Sequence, residues 1–476
     1  MLSELLNPGG LLVLTLRFGQ DAAENAAREF HAVSREELEQ FARDRALICR
    51  HWIEAPDLRR EDVRWETVVF QHPDDGSGGL SLLRHIIIND NKSATYKLGL
   101  LRALSHIAQA FPGAVIARDD ASVTIPLGLV GLCWLKQYKP LIIHHRLAQL
   151  PQAQQPGFAK DAFFALAGFA DPDLRVGSML SAERADVLTA ALSDACRLIQ
   201  KMPAHYTTWP GTHEQIFETE YCSPGRVSAG SPGSRRGALP LPRGGASGSR
   251  RHAGSVVSGQ GTLRINPEYL ARFGTMRVPA PIWQSLGQYA CWLEPVIVNE
   301  WLGLMRNWSR GVGEVDLIQP ELFKWEEVLR FTGDVRQRLD ALRQSGINVP
   351  CTWTGRRVRE LDIDHAFLWS RWPNNDLWNL LPTAATVNRS KSDRLPTVAA
   401  FEQARPQLLD WWDQAYLAAP LKERFLDEVT LALPCLDAGI AHAPETIYTA
   451  MLAQRARIKR DQQLPDWPPK GATRSL

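Results

Sequence analysis

No stretch of this sequence approaches the roughly 18 apolar residues that argue for a membrane-spanning helix, so no membrane partner is expected. The N-terminus, MLSELLNPGGLLVLTLRFG, has no basic segment followed by a cleavage site, which argues against a secretory signal. Cysteine is sparse and unpatterned. Cys49, Cys133, Cys196, Cys222, Cys291, Cys351 and Cys435 make an odd number, and no two form a CxxC pair. That argues against a disulfide framework and against a four-ligand zinc site, and a reducing cytoplasm is the simplest compartment. Nor does either sign of charge dominate. With a formal net charge of +2, any surface for nucleic acid has to be a local basic patch.

What is present is a globular composition, 45% hydrophobic and 22% charged, over 476 residues, long enough for several separate cores. The expected class is multi-domain and mainly α, with an α/β segment at the N-terminus. Residues 1–77 read strand, helix, strand, helix, strand. GLLVLTLRFG is a buried-strand run, SREELEQFARDRAL a helix capped by Ser34, and VRWETVVFQ a strand. Residues 78–222 turn helical, and NKSATYKLGLLRALSHIAQAF is an amphipathic helix opening near Ser93. Asn89, Asp90, Asn91 and Lys92 stand at its start, where Asn91 or Ser93 as a simple cap is preferred to a phosphate contact.

Residues 223–262 interrupt this pattern. Ser, Gly, Pro, Arg and Ala dominate, large apolar side chains are nearly absent, and no packed core can form there. A basic flexible linker and a locally frame-shifted coding stretch both give that composition. Residues 263–346 read as a second helical domain in which Trp283, Trp292 and Trp301, nine residues apart, are expected to pack the core rather than stack on bases, and its last helix closes at Gly346. A short module follows at 347–400, then a helical extension at 401–476.

The Pro-Gly-Gly turn at 8–10, feeding a hydrophobic strand, resembles the C-terminal portion of a class I S-adenosylmethionine-dependent methyltransferase. That family binds its cofactor on a glycine-rich loop after the first strand. No such loop is present, so S-adenosylmethionine is not an expected cofactor.

The segment INVPCTWTGRRVRELDIDHAFLWSRWPNNDLWNLLPTAATVNRSKSDRLP carries the chemistry. VPCTWTG reads as one short strand and LDIDH as a second. A loop rich in Trp, Pro and Asn runs to Asn379, and a helix is expected from Pro382 or Thr383 through Asn388 to about Asp393. Asp364 and His365 end the second strand, Asn379 follows fourteen residues after the His, Asn388 nine further on, and Lys391 three beyond that. The dipeptide alone says nothing, but the joint spacing over about residues 349–397 resembles the HNH endonuclease family, the ββα-metal nucleases.

That resemblance implies metal-dependent hydrolysis of phosphodiester bonds in double-stranded DNA. Such a reaction needs an activated water and stabilisation of charge on phosphorus and on the leaving oxygen. By resemblance His365 is the general base, a role suited to an imidazole with an ordinary pKa near 6.5. Asp364 and Asn388 supply oxygen ligands for Mg²⁺ or Mn²⁺, which take few protein ligands. Asn379 ties the loop so that His365 stays oriented. Lys391, Arg389, Arg394, Arg356 and Arg357 are the expected phosphate contacts. One departure stands out. Many relatives brace this core with zinc-binding CxxC knuckles, whereas only Cys351 lies here, so packing by Trp353, Trp369, Trp372 and Trp378 has to replace the metal. A nuclease beside a methyltransferase-like segment suggests restriction or defence; the alternative is a catalytically inactive nucleic-acid-binding remnant. The sequence does not set the oligomeric state.

Overall fold

In the computed structural model the described residues are 6, 10–18, 33–44, 47–60, 63–71, 78–224, 257–258, 262–308, 330–370, 372–418, 420–434, 436 and 443–468. They form a mainly helical chain that divides into two compact units, Met1–Asp90 with Ala280–Ser285, and Asn91–Pro279 with Leu286–Leu476.

The first unit holds a three-stranded antiparallel sheet. Leu11–Phe18 and Ile48–Pro56 flank Arg64–Gln71 in the middle. Alternation in LLVLTLRF sends Leu12, Leu14 and Leu16 to one face, where they meet Leu38 and Ala42 of the helix Arg35–Asp44 and Val68 and Phe70 of the middle strand. Leu11, Val13 and Ile53 lie on the other face, exposed. The helix starts as expected: the Ser34 hydroxyl accepts from Glu37 N at 3.1 Å, and Ser34 N donates back to Glu37 Oε2 at 2.8 Å. The described elements run strand, helix, strand, strand. Residues 19–32 lie outside the described residues, as do Pro8 and Gly9 of the methyltransferase-like turn.

The second unit is helical with small sheets. Helices Tyr96–Ala110, Leu127–Lys139, Ala182–Ile199 and Ala290–Trp308 pack together. Trp134, Tyr138, Phe158 and Trp301 cluster among them, with ring centroids 4.7–5.6 Å apart. Glu218–Tyr221 pairs with Gly274–Pro279, and Met179–Ser181 pairs with Thr262–Arg264. These pairings join the chain before the low-complexity segment to the chain after it, so the two helical domains expected from sequence share sheets. One register point needs glycine. Gly274 has φ 100°, and a Cβ there would lie 1.8 Å from the Glu220 carbonyl oxygen.

Two local expectations are corrected. The residue before the helix Tyr96–Ala110 is Thr95, not Asn91 or Ser93; its hydroxyl bonds Tyr138 OH and Gln149 Oε1 instead of capping. Trp283 and Trp301 are buried, but Trp292 is 75% exposed. Gly346 does close its helix, Gly333–Gln344, with φ 79°. Among the described residues, no helix is long and apolar enough to cross a membrane.

The C-terminal part of this unit differs from its sequence reading. Residues 349–355 form a turn, not a strand: Thr352 donates from both N and Oγ1 to the Pro382 carbonyl, at 2.9 and 3.0 Å. The strand that pairs with Asp362–His365 is Leu380–Thr383, after the loop, with Asp364 opposite Leu381 and His365 opposite Leu380. The helix therefore begins later and ends sooner than expected, at Ala385–Lys391. Every residue of Leu380–Thr383 is buried, so tertiary packing decides this strand over the local Pro signal. Below it lie helices Val398–Trp412, Lys422–Ala432 and Pro444–Gln462. Trp411 and Trp412 donate their indole N–H groups to the carbonyls of Leu380 and Trp378, each at 3.2 Å.

Candidate active site

The end of the strand Asp362–His365 puts a histidine where little water reaches it; His365 is 3% exposed. Its Nε2 lies 3.1 Å from Asn375 Oδ1. A carbonyl oxygen only accepts, so Nε2 carries the proton and Nδ1 keeps a lone pair. The Trp369 ring lies against the imidazole, centroids 4.8 Å apart. Burial pulls the His365 pKa down to about 4; the Asn375 bond opposes this, while the Arg330 and Lys391 charges add to it. The ring is neutral at cellular pH. A phosphate anion at this place would raise its basicity.

Asp364 precedes it and is also buried, and burial raises its pKa against the pull of Lys391. The Lys391 ammonium sits 3.3 Å from Asp364 Oδ2, close enough to pair but not aligned as a donor, since Oδ2 accepts no well-directed hydrogen bond. Its aligned bond, 2.8 Å, goes to the His365 carbonyl. The helix Ala385–Lys391 packs against this strand and carries Asn388, half-buried, whose side chain makes no hydrogen bond among the described residues.

These groups suit a hard divalent cation in kind. Asp364 Oδ2 is a buried carboxylate oxygen that faces the Lys391 ammonium without an aligned hydrogen bond, and the Asn388 amide is unengaged among the described residues. Among the described residues no three His, Cys, Asp or Glu side chains gather, so a closed structural metal site is absent there and a sparse oxygen set is what the geometry offers.

The Trp- and Asn-rich loop is a scaffold for the histidine. Asn379 is fully buried; its Oδ1 accepts from Phe367 N at 2.9 Å, its Nδ2 donates to the Asn374 carbonyl at 3.0 Å, and its own carbonyl accepts from Ala366 N at 2.7 Å. It thus stitches the residues after His365 to the loop that carries Asn375. The loop is tied down further. Asp376 Oδ2 accepts from Asn374 Nδ2 at 2.7 Å and from the Trp378 indole at 3.1 Å, and Leu377 N donates to Glu428 Oε2 at 2.7 Å. Burial, with the Glu428 charge beside it, pushes the Asp376 pKa up to about 7. Trp353, Trp372 and Trp378 are buried among Phe367 and Phe401, the packing expected in place of zinc knuckles, while Trp369 is only half-buried and serves His365.

The cationic residues fall into two groups. Arg356, Arg357 and Arg389 are exposed and Arg394 half-buried, with its guanidinium on the Ser390 carbonyl. Lys391, expected to contact a phosphate, is corrected: at 2% exposure its ammonium faces the protein interior. Sequence reasoning missed Asn375, whose role depends on a loop fold, and Glu428, which arrives from a helix far along the chain. It also missed Arg330, exposed, whose charge reaches both Asp364 and His365.

With this geometry in place, comparison with known families adds two findings. Residues 355–397 match the HNH endonuclease family, and residues 76–235 and 249–320 match a domain of unknown function, DUF8808. No curated protein and no solved structure matches the chain. Asp364, His365, Asn379 and Asn388 all lie within the HNH endonuclease match. The second match runs across both sides of the low-complexity segment.

Proposed function

We propose that this protein is a Mg²⁺- or Mn²⁺-dependent endonuclease that hydrolyses double-stranded DNA at a ββα site built from Asp364, His365, Asn379 and Asn388. The observation that carries this reading is the pairing of a neutral, oriented imidazole with a buried carboxylate whose Oδ2 faces an ammonium but accepts no aligned hydrogen bond. Asp364 and Asn388 would hold the cation, which when bound supplies charge neutralisation at the phosphate and lowers the pKa of a bound water. His365 takes a proton at Nδ1, while Asn375 keeps Nε2 protonated and the ring in place. Asn379 acts through the loop as a positioning residue. Arg330, Arg356, Arg357, Arg389 and Arg394 supply the cationic surface for flanking phosphates.

The methyltransferase-like reading of the first 77 residues also stays a proposal; both family matches lie outside residues 1–75. A cytoplasmic role in restriction or defence rests on analogy alone. The test is supercoiled plasmid with Mg²⁺, Mn²⁺ or EDTA, with a His365→Ala variant beside the wild type. Metal-dependent nicking, reduced about 10²–10⁴-fold in the variant, is expected. A wild type that shifts DNA in a gel but cuts none with any metal would replace this reading with a catalytically inactive binding protein.

A further inference from the structure

We propose that Lys391 is a built-in counter-cation that weakens divalent-metal binding at Asp364, so that the site fills strongly only when a phosphodiester supplies negative charge. This rests on the metal site proposed above and concerns how that site is regulated.

A lysine normally runs its stem along the surface and keeps the ammonium in water. Lys391 does the opposite, and burying its charge demands compensation. Two oxygens provide it, the His365 carbonyl at 2.8 Å and Asp364 Oδ2 at 3.3 Å. The backbone fixes this placement. Lys391 is the last residue of its helix, and the chain leaves through Ser392 at φ 45°, ψ −133°, a conformation that L-residues rarely adopt. The placement at a helix C-terminus also favours a cation.

The division of contacts matters. The aligned hydrogen bond goes to the carbonyl, while Asp364 Oδ2 receives the charge without a directed proton. That oxygen keeps its lone pairs for a metal, but any divalent cation there shares it with an ammonium already in range. The Arg330 charge reaches Asp364 as well, adding to the positive potential. Like charges in a poorly solvated site repel strongly. An incoming phosphodiester is the natural remedy, since its charge offsets the excess. Metal and DNA then bind cooperatively, and coupling of this kind is reciprocal.

The experiment measures Mn²⁺ affinity by titration calorimetry and by electron paramagnetic resonance. Wild type, Lys391→Met, Lys391→Arg and Asp364→Asn are compared, with and without a duplex carrying non-cleavable phosphorothioate linkages. Lys391→Met should bind Mn²⁺ about tenfold more tightly than wild type without DNA, Lys391→Arg should stay near wild type, and Asp364→Asn should abolish the strong site. The duplex should tighten Mn²⁺ binding at least tenfold in wild type and clearly less in Lys391→Met. Unchanged or weaker Mn²⁺ binding in a folded Lys391→Met overturns the proposal. Should Lys391→Met fail to fold, wild-type Mn²⁺ affinity that ignores the duplex overturns it equally. Absence of Asp364-dependent Mn²⁺ binding in every variant also overturns it, and the nuclease reading falls too only if plasmid nicking is absent as well.

Discussion

The strand Leu11–Phe18 and the strand Asp362–His365 are both paired in antiparallel ribbons, yet they treat polar groups in opposite ways. In the first, Thr15 faces Thr67 with their hydroxyls 3.0 Å apart on the exposed face, and water could replace either partner. In the second, Asp364 and His365 are buried, and their cross-strand partners in Leu380–Thr383 are buried too. A polar atom there has to find a specific protein partner or stay orphaned. That scarcity of water fixes the geometry. His365 is aimed by one amide, the loop is held by another, and one carboxylate oxygen faces an ammonium 3.3 Å away.

The contrast can be tested by removing one partner at a time. The largest effect is expected from Asn379→Ala. It leaves Phe367 N and the Asn374 carbonyl unpaired in the core and opens a small void, so denaturant melts should show a loss of about 2–5 kcal/mol, with nicking falling in parallel. Retention of wild-type stability would mean that the loop is held by its tryptophans alone.

Asn375→Leu comes next. It preserves volume and removes the acceptor for His365 Nε2, so nicking should drop about 10–100-fold. ¹⁵N NMR of His365 should show Nδ1–H gaining population over the Nε2–H form that dominates in wild type. An unchanged tautomer would show that the bond does not orient the ring.

A smaller effect concerns pH. Although part of Asp376 reaches the surface, its carboxyl group is enclosed and titrates at about 7, against 3.8 when unperturbed. Between those values the folded protein holds a proton that the unfolded chain has released. The stability contributed is thus complete below 3.8 and is lost as pH rises through about 7. Asp376→Asn removes this titration, so melting temperatures of the variant should gain on wild type as pH rises from 4 to 8. Parallel pH profiles would show that Asp376 does not titrate in that window. Smallest of all, Thr15→Ala should cost under about 0.5 kcal/mol, as expected for a solvated cross-strand pair. A loss beyond about 1 kcal/mol would show that the exposed face is not open to water.

Legibility from sequence follows the same divide. The N-terminal strands and the Ser34 cap declare themselves because their signals are local: a period of two and a reciprocal Ser–Glu pair. Asp364, His365, Asn379 and Asn388 stand out as a group because they keep the spacing of the HNH pattern along one short segment, and that segment lies within the HNH endonuclease match. The partner strand was not. LLPT is short and carries a proline, whereas VPCTWTG has the composition of a strand and folds as a turn because Thr352 docks on the Pro382 carbonyl. Lys391 was expected on a phosphate whereas its ammonium is buried, since nothing in NRSK tells a buried ammonium from a solvated one. Asn375 and Glu428 acquire their roles only through contacts the folded chain creates.

The indole bonds from Trp411 and Trp412 bear on how such a module can travel between proteins. The family match ends at residue 397, but the strand it contains accepts a hydrogen bond from Trp411, its loop donates one to Glu428, and Trp353 packs on Trp467 with centroids 5.4 Å apart. A gene segment cut at the motif's edges would deliver Asp364, His365, Asn379 and Asn388 without the floor beneath them. The unit that recombination can exchange intact therefore runs from about the helix Gly333–Gln344 through Trp467, and lineages that shuffle this module should show their breakpoints outside it.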